Sequence, residues 1–434
     1  MIKRLSKLFK GNFVRNILIV ASGTAGAQLI AMLAAPVITR LYGPESFGQL
    51  GIFTAVISIL APVAALTYPN AIVLPKSDNN AARLVKLSIL IASVFSLLLF
   101  VLLFLLGGPI LEFFKLTIIE KYILLVPFAL LFFSLYQVIQ QWLIRQQQFK
   151  LTAKTAFLQS LFINSAQMGI GLYNPVATVL IVISTASHFL YSLMLYVGYK
   201  KSNVTFNNEK LEPDLSIREL FLKYRDFPIY RSPQVLINTI SQSFPVIIIA
   251  TFFGPVSAGF YTLAKTIMGI PSNLLGKSVS DVFYPKINQA FNDKQDVLSH
   301  LKRATKVLAI AGLVPFSVVI LFGPLLFGFV FGSEWEVAGE YARWLAFWFY
   351  SMLCTTLCAT ILPVVDGQKF HLNFTILKTV LRVASVYAGY YMFKDELNTI
   401  IFYSFISTLV NVYFIFKVFG LVQIKVKDNT NVGS

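Results

Sequence analysis

The chain has 434 residues, of which 56% are hydrophobic, 15% aromatic and only 13% charged, at a formal net charge of +17. About a quarter of a soluble domain is charged, so this composition excludes a soluble globular class and describes a chain solvated by lipid. The basic excess would suit nucleic acid, a reading that the placement of the basic residues removes below.

Taken in order, the chain opens on a basic stretch, Met1-Ile2-Lys3-Arg4-Leu5-Ser6-Lys7, followed by an apolar run too long for a signal peptide, so it is expected to be retained. Twelve apolar runs of span length follow, at roughly 16–39, 47–68, 84–106, 122–140, 155–173, 176–198, 228–253, 259–283, 306–331, 341–365, 370–392 and 397–420. Gln159, Asn164 and Gln167 interrupt the fifth. The longest polar connection, 199–227, lies between spans six and seven. The expected organisation is an N-terminal six-helix lobe (1–198), a cytoplasmic linker (199–227) and a C-terminal six-helix lobe (228–434).

An internal repeat supports two lobes. Leu41-Tyr42-Gly43-Pro44-Glu45-Ser46-Phe47-Gly48 returns 211 residues later as Phe252-Phe253-Gly254-Pro255-Val256-Ser257-Ala258-Gly259. Pro cannot continue the first helix and Gly frees the turn, so each copy predicts a hairpin between two helices. Pro36-Val37-Ile38 and Pro245-Val246-Ile247 precede the copies, and Gly108-Pro109 and Gly323-Pro324 follow them at an offset of 215.

Lys and Arg fix the expected orientation. With the N-terminus inside, 26 of the 36 basic residues fall in inner segments and 4 in outer ones, which places both termini in the cytoplasm. The positive charge is therefore mostly topological, and no nucleic-acid partner is expected.

Ionisable groups inside spans are costly and mark cavities or partners. In span eleven His371, Lys378, Arg382, Ser385 and Gly389 share one helical face. Arg382 lies about 18 Å from the cytoplasmic end at 1.5 Å per residue, too deep to snorkel easily. Span seven carries Arg231, Gln234, Asn238, Ser241 and Pro245 at the same spacing, and span eight carries Lys265, Lys277 and Asp281. Arg40 closes span one on the outer side; Thr24 and Gln28 share a face of that span, as Asn164 and Gln167 do of span five. Each has a bland alternative: an interfacial anchor for Arg40 and Arg231, interhelical hydrogen bonding for the amides, and a structural role for Arg382. Cys354 and Cys358 read as small residues on one buried face rather than a metal or redox pair. The embedded charges are mainly cationic, which favours an anionic cargo bearing phosphate or pyrophosphate. No phosphate-loop pattern is present, and no cofactor or metal is expected.

The stretch from Pro36 to Gly48, with Ala71-Ile72-Val73-Leu74-Pro75-Lys76 after it, resembles bacterial O-antigen and capsule repeat-unit flippases of the multidrug/oligosaccharidyl-lipid/polysaccharide exporter superfamily. The similarity extends to length, span count and layout. It departs where Pro69-Asn70 stands in place of an acidic residue common in relatives. The resemblance implies an all-α polytopic membrane protein of about twelve transmembrane helices, in two pseudo-symmetric six-helix lobes around a central cavity. It implies no enzyme but alternating-access flipping of an undecaprenyl-pyrophosphate-linked glycan across the bacterial inner membrane, alongside polysaccharide polymerase machinery. On that reading Arg382, Lys378 and Lys265 attract the pyrophosphate. Arg231 and Arg40 extend the cationic set, and Gln234, Asn238, Gln28, Asn164 and Gln167 pass the sugars. Two rivals stay open. A cation-coupled multidrug exporter calls for a buried first-lobe carboxylate, which is missing. A peptidoglycan-precursor flippase tends to carry two further spans. An integral membrane glycosyltransferase would need a large outer loop, and the longest here is 107–121.

Overall fold

Long apolar runs with no water to satisfy their backbone must close their hydrogen bonds internally, and the chain does so almost entirely as helix. A computed structural model describes residues 12–202, 213–293 and 295–431. The helices are α1 (Asn12–Ala64), α2 (Asp78–Phe113), α3 (Leu125–Arg145), α4 (Phe149–Gly171), α5 (Ala177–Lys201), α6 (Ile217–Lys223), α7 (Ser232–Asn292), α8 (Val297–Phe331), α9 (Glu336–Ile361), α10 (Gln368–Phe393) and α11 (Glu396–Asn431). Among the described residues, eight are long and apolar enough to cross a membrane. The polar α4 and α10 are the long helices outside that set. Because α1 and α7 are each broken once, the long helices among the described residues comprise twelve segments, as the apolar runs predict.

The two breaks are the two copies of the repeat. Gly43 has φ 66° and ψ 172°, and Gly254 has φ 88° and ψ 176°, a region essentially closed to residues with a Cβ. Both reverse the chain. In α7, Lys265 Nζ donates to the Gln242 carbonyl at 2.6 Å, joining residues about equally far on either side of Gly254. In α1, Gly23 packs on Ala153 near the start of α4, and the Tyr42 hydroxyl donates to the Gln167 carbonyl near its end. By Ile72, whose carbonyl accepts from Arg145, the chain is back at the start of α4. The later Gly-Pro pair behaves differently: Pro109 and Pro324 both sit inside helices, α2 and α8.

Two compact units divide the chain, Met1–Thr239 and Ile240–Ser434. In the first, α1 packs on α4 and α3 on α5. On α2, Leu90, Val94, Leu97, Leu98, Val101 and Leu105 are exposed, as befits a lipid-facing helix. The segment after residue 212 is strapped to this unit. Asn80 donates to the Pro213 carbonyl and accepts from the Leu215 amide, both at 2.9 Å. The helix α6 starts with a capping box, Ser216 with Glu219, and inserts the fully buried Leu220 among Tyr68, Ile72, Leu84 and Val138. Burying such a leucine is worth about 1.5–3 kcal/mol. The Tyr68 hydroxyl donates to the Phe221 carbonyl at 2.9 Å, and burial pushes its phenol up to about 12, so it stays a neutral donor. In the second unit α8 packs on α9, and α11 packs on both α9 and α10.

Candidate functional site

The periodicity that singled out α10 is realised in its burial. Thr375, Arg382, Ser385, Val386 and Gly389 are buried, with His371 and Lys378 half-buried on the same face. Gly389 lets the start of α11 come close, since a Cβ there would lie 3.1 Å from Thr399 Cα. This crossing draws α10 and α11 together and holds Arg382 between helices.

Arg382 is only 2% exposed. Its Nη1 donates to Ser241 Oγ of α7 at 3.4 Å and its Nη2 to Asn411 Oδ1 of α11 at 3.3 Å. The guanidinium lies 4.9 Å from the centroid of the Trp348 ring of α9. Asn411 Nδ2 donates in turn to Ser351 Oγ, which donates to the Trp348 carbonyl. Four helices thus meet at one charge through neutral groups. Among the described residues no carboxylate pairs with Arg382. Taking a charge out of water costs several kcal/mol even after relaxation, whereas a desolvated cation–π contact returns about 2 kcal/mol. The two hydrogen bonds add to that return but are long, and Nε makes none, so the guanidinium is incompletely compensated. Arg382 Nε and Trp348 Nε1 are also buried without a protein hydrogen-bond partner, and Tyr403 meets the Trp348 ring edge-on at 5.2 Å. Two N–H donors of the cluster are thus left over, and no charged acceptor meets them among the described residues.

The other sequence candidates are distributed more widely. Lys378 lies one turn before Arg382, and Lys265 lies half-buried in the same unit with its ammonium on the Gln242 carbonyl. Arg231 is exposed at the end of a π-helical turn, Phe227–Arg231, and donates to Gln234 Oε1 at 3.1 Å; Gln234 and Asn238 are half-buried. Arg40 and Gln28 are exposed. Asn164 donates to the Ser160 carbonyl at 2.6 Å, while Ser160 Oγ donates to the Ala27 carbonyl, tying α4 to α1. Gln167 uses its backbone carbonyl in the bond to Tyr42, and its side chain is half-buried. The side chains of Thr24 and Asp281 lie outside the described residues. Arg382, with Ser241, Lys378 and Lys265, thus belongs to the second unit, and Arg40, Gln28, Asn164, Gln167, Arg231, Gln234 and Asn238 to the first.

Among the described residues, three ion pairs fall outside the sequence-based expectations, and the weakest of them joins Arg83 to Asp214 at 3.6 Å. Arg145 Nε meets Asp78 Oδ1 at 2.8 Å, both side chains nearly buried, and Arg145 also donates to the Ile72, Pro75 and Lys76 carbonyls. Nothing in local spacing announces a partner 67 residues away. Arg343 pairs with Glu340 at 3.1 Å, and the i,i+3 spacing was a usable signal. At the departure from the family pattern, Asn70 Oδ1 accepts from Gln141 Nε2 at 3.4 Å, a neutral bond close to the Arg145–Asp78 pair.

Residues 37–340 match the family described as polysaccharide biosynthesis protein. The chain is 22% identical over 367 residues to the succinoglycan biosynthesis transport protein ExoT of Rhizobium meliloti (strain 1021), covering 80% of this chain and 67% of that one. Its fold is similar to that of a multidrug resistance MATE family transporter of the MOP superfamily in an inward-facing conformation. The TM-score is 0.75 at 14% identity, over 91% of this chain and 96% of the other. It is also similar to the lipid II flippase MurJ in an inward closed conformation, with a TM-score of 0.73 at 14% identity, over 92% and 87% of the two chains.

Proposed function

The chain belongs to the polysaccharide biosynthesis protein family, and from that membership we propose that it flips an undecaprenyl-pyrophosphate-linked oligosaccharide repeat unit. Transfer runs from the cytoplasmic to the periplasmic leaflet of the bacterial inner membrane, by alternating access between lobes 1–198 and 228–434, joined by 199–227. The product feeds O-antigen or another surface polysaccharide, and the polymerase machinery acts after it. A relative described as a succinoglycan transport protein and a structural neighbour described as a lipid II flippase support this class of cargo.

The observation that carries the reading is the cation of α10, which pairs with no carboxylate among the described residues. Arg382 is held by Ser241, Asn411 and the Trp348 ring, with donors left over around it and Lys378 one turn away. An incompletely compensated guanidinium favours an anion, and pyrophosphate presents oxygens that match its fork. Lys265 and Lys378 add charge in the same unit. Gln28, Asn164, Gln167, Gln234 and Asn238 offer amides to sugar hydroxyls, and Arg40 and Arg231 stand as cations nearer the span ends. A cation-coupled drug exporter would need the reverse arrangement, a buried carboxylate facing its cargo.

Complementation of a strain lacking its own O-antigen flippase tests the proposal, with the matching glycan genes supplied and surface polysaccharide read as a gel ladder. Wild type restores the ladder, and Arg382→Ala at equal membrane level loses it. A ladder from both variants removes Arg382 from the site; no ladder from either moves the drug-exporter reading forward.

A further inference from the structure

Beyond the span interiors, the end of α7 and the first turns of α8 enclose a cavity of about 640 Å³ with two chemistries on its walls. Phe283 and Ile287 are buried at its base, and Lys286, His300 and Arg303 are exposed at its rim. Among the described residues neither Lys286 nor Arg303 has an ion-pair partner, and Asp296 caps α8 through the Ser299 amide. His300 Nδ1 lies 2.8 Å from the Asp296 carbonyl, which fixes the ring beside the opening.

The cavity continues along one face of α8. Arg303, Val307, Ile310, Val314, Leu321 and Leu325 recur at spacings of three, four and seven, so they form one stripe. The last five are exposed, between 59% and 69%. From Val307 to Leu321 the stripe runs about 21 Å at 1.5 Å per residue, longer than the roughly 15 Å that one leaflet contributes to a hydrocarbon core of about 30 Å. A cationic rim opening onto an apolar track is complementary to one kind of molecule, an amphiphile with an anionic head. A free phosphate would use the rim and leave Phe283, Ile287 and the stripe without purpose.

We propose that this cavity holds an anionic phospholipid, its phosphate between Lys286 and Arg303 and an acyl chain lying on the Val307–Ile310–Val314 stripe. The lipid comes from the leaflet that the basic-residue asymmetry assigns to the cytoplasm, where basic pockets recruit anionic headgroups. Membrane insertion alone is required, not the cargo assigned above.

The test uses the full chain in nanodiscs of phosphatidylglycerol or phosphatidylcholine, with retained lipid counted by native mass spectrometry after a detergent wash. Wild type keeps one phosphatidylglycerol and no phosphatidylcholine. The K286Q/R303Q variant lowers that retention at least tenfold, V307D lowers it with the rim charges intact, and K394Q at the opposite end of α10 leaves it unchanged. Soluble dihexanoyl phosphatidylglycerol displaces the lipid, and glycerol 3-phosphate does not. Equal retention of phosphatidylcholine, or unchanged retention in both rim and stripe variants, overturns the proposal. Displacement by inorganic pyrophosphate would reassign the cavity to a soluble anion, and preferential retention of undecaprenyl pyrophosphate would reassign it to cargo. The readout is lipid count rather than flipping, so its failure leaves the proposed function standing.

Discussion

Arg382 has five N–H donors in a fixed fork, and two neutral oxygens and a ring face meet them. A buried charge so arranged contributes little to stability, and replacing such charges with packed apolar residues is often neutral or better. Arg382→Met is therefore expected to leave the melting temperature in detergent within a few degrees of wild type while abolishing the polysaccharide ladder. A large fall in melting temperature with a normal ladder would make Arg382 a structural residue. The opposite behaviour is expected of Arg145, whose carboxylate is in place. Asp78→Asn leaves a nearly buried guanidinium without its counter-charge and should cost about 3–5 kcal/mol, read by thermal unfolding. The first residue was legible in sequence because a deep arginine breaks an apolar run. The Arg145–Asp78 pair was not, because the two stand at helix ends 67 residues apart and their contact is made by folding.

At the scale of elements, the repeated Gly-Pro turns were legible from chemistry alone, and the two glycines adopt the backbone region that explains the residue type. Substitution is limited by backbone rather than space, since nothing lies within 4 Å of a Cβ added at Gly254. Gly254→Ala is expected to cost about 1–3 kcal/mol. Gly254→Asn should not rescue it, because asparagine eases left-handed helical angles and not an extended ψ with positive φ; thermal unfolding of both variants checks this. The strap was not legible as part of the first unit. Its polar composition reads as a linker, and only Leu220, Asn80 and Tyr68 acting across more than 130 residues make it a packed element. The Ser216 amide donates to the Glu219 carboxylate at 2.7 Å and holds it below the usual carboxylate range. A depressed carboxylate stabilises above its unfolded pKa and is lost as pH falls through the folded value. Protection factors of α6 amides, corrected for the intrinsic exchange rate at each pH, should fall on acidification below about pH 4.3, the ordinary glutamate value, and Glu219→Gln should remove that pH dependence.

For the molecule as a whole, hydropathy predicted the number of segments and overlapped their positions, though the helices overrun the apolar windows; α2 spans Asp78–Phe113 against an expected 84–106. The polar α4 and α10 fall below a hydropathy threshold yet form full helices, because Asn164, Ser160 and Arg382 find partners on other turns and other helices. Such partners are invisible to a window average. The basic asymmetry also sets an expectation for the whole chain. Cysteine introduced at Ser202 should react with an impermeant maleimide only after the cytoplasmic face is opened, and cysteine at Lys121 should react in spheroplasts. The reverse pattern would invert the topology.

The helix carrying Arg382 has a history as well as a place. Ser241 and Trp348 are synthesised before α10, and Asn411 only after it. A central arginine resists partition from the translocon by about 2.5–3.5 kcal/mol, and the first partners to appear supply only one hydrogen bond and a ring. Helix α10 is therefore expected to wait for α11, so that the last two helices enter the bilayer together. In microsomes, a released chain ending in a glycosylation tag after Phe393 should leave α10 extractable by alkali, and one extended through α11 should hold it in the membrane.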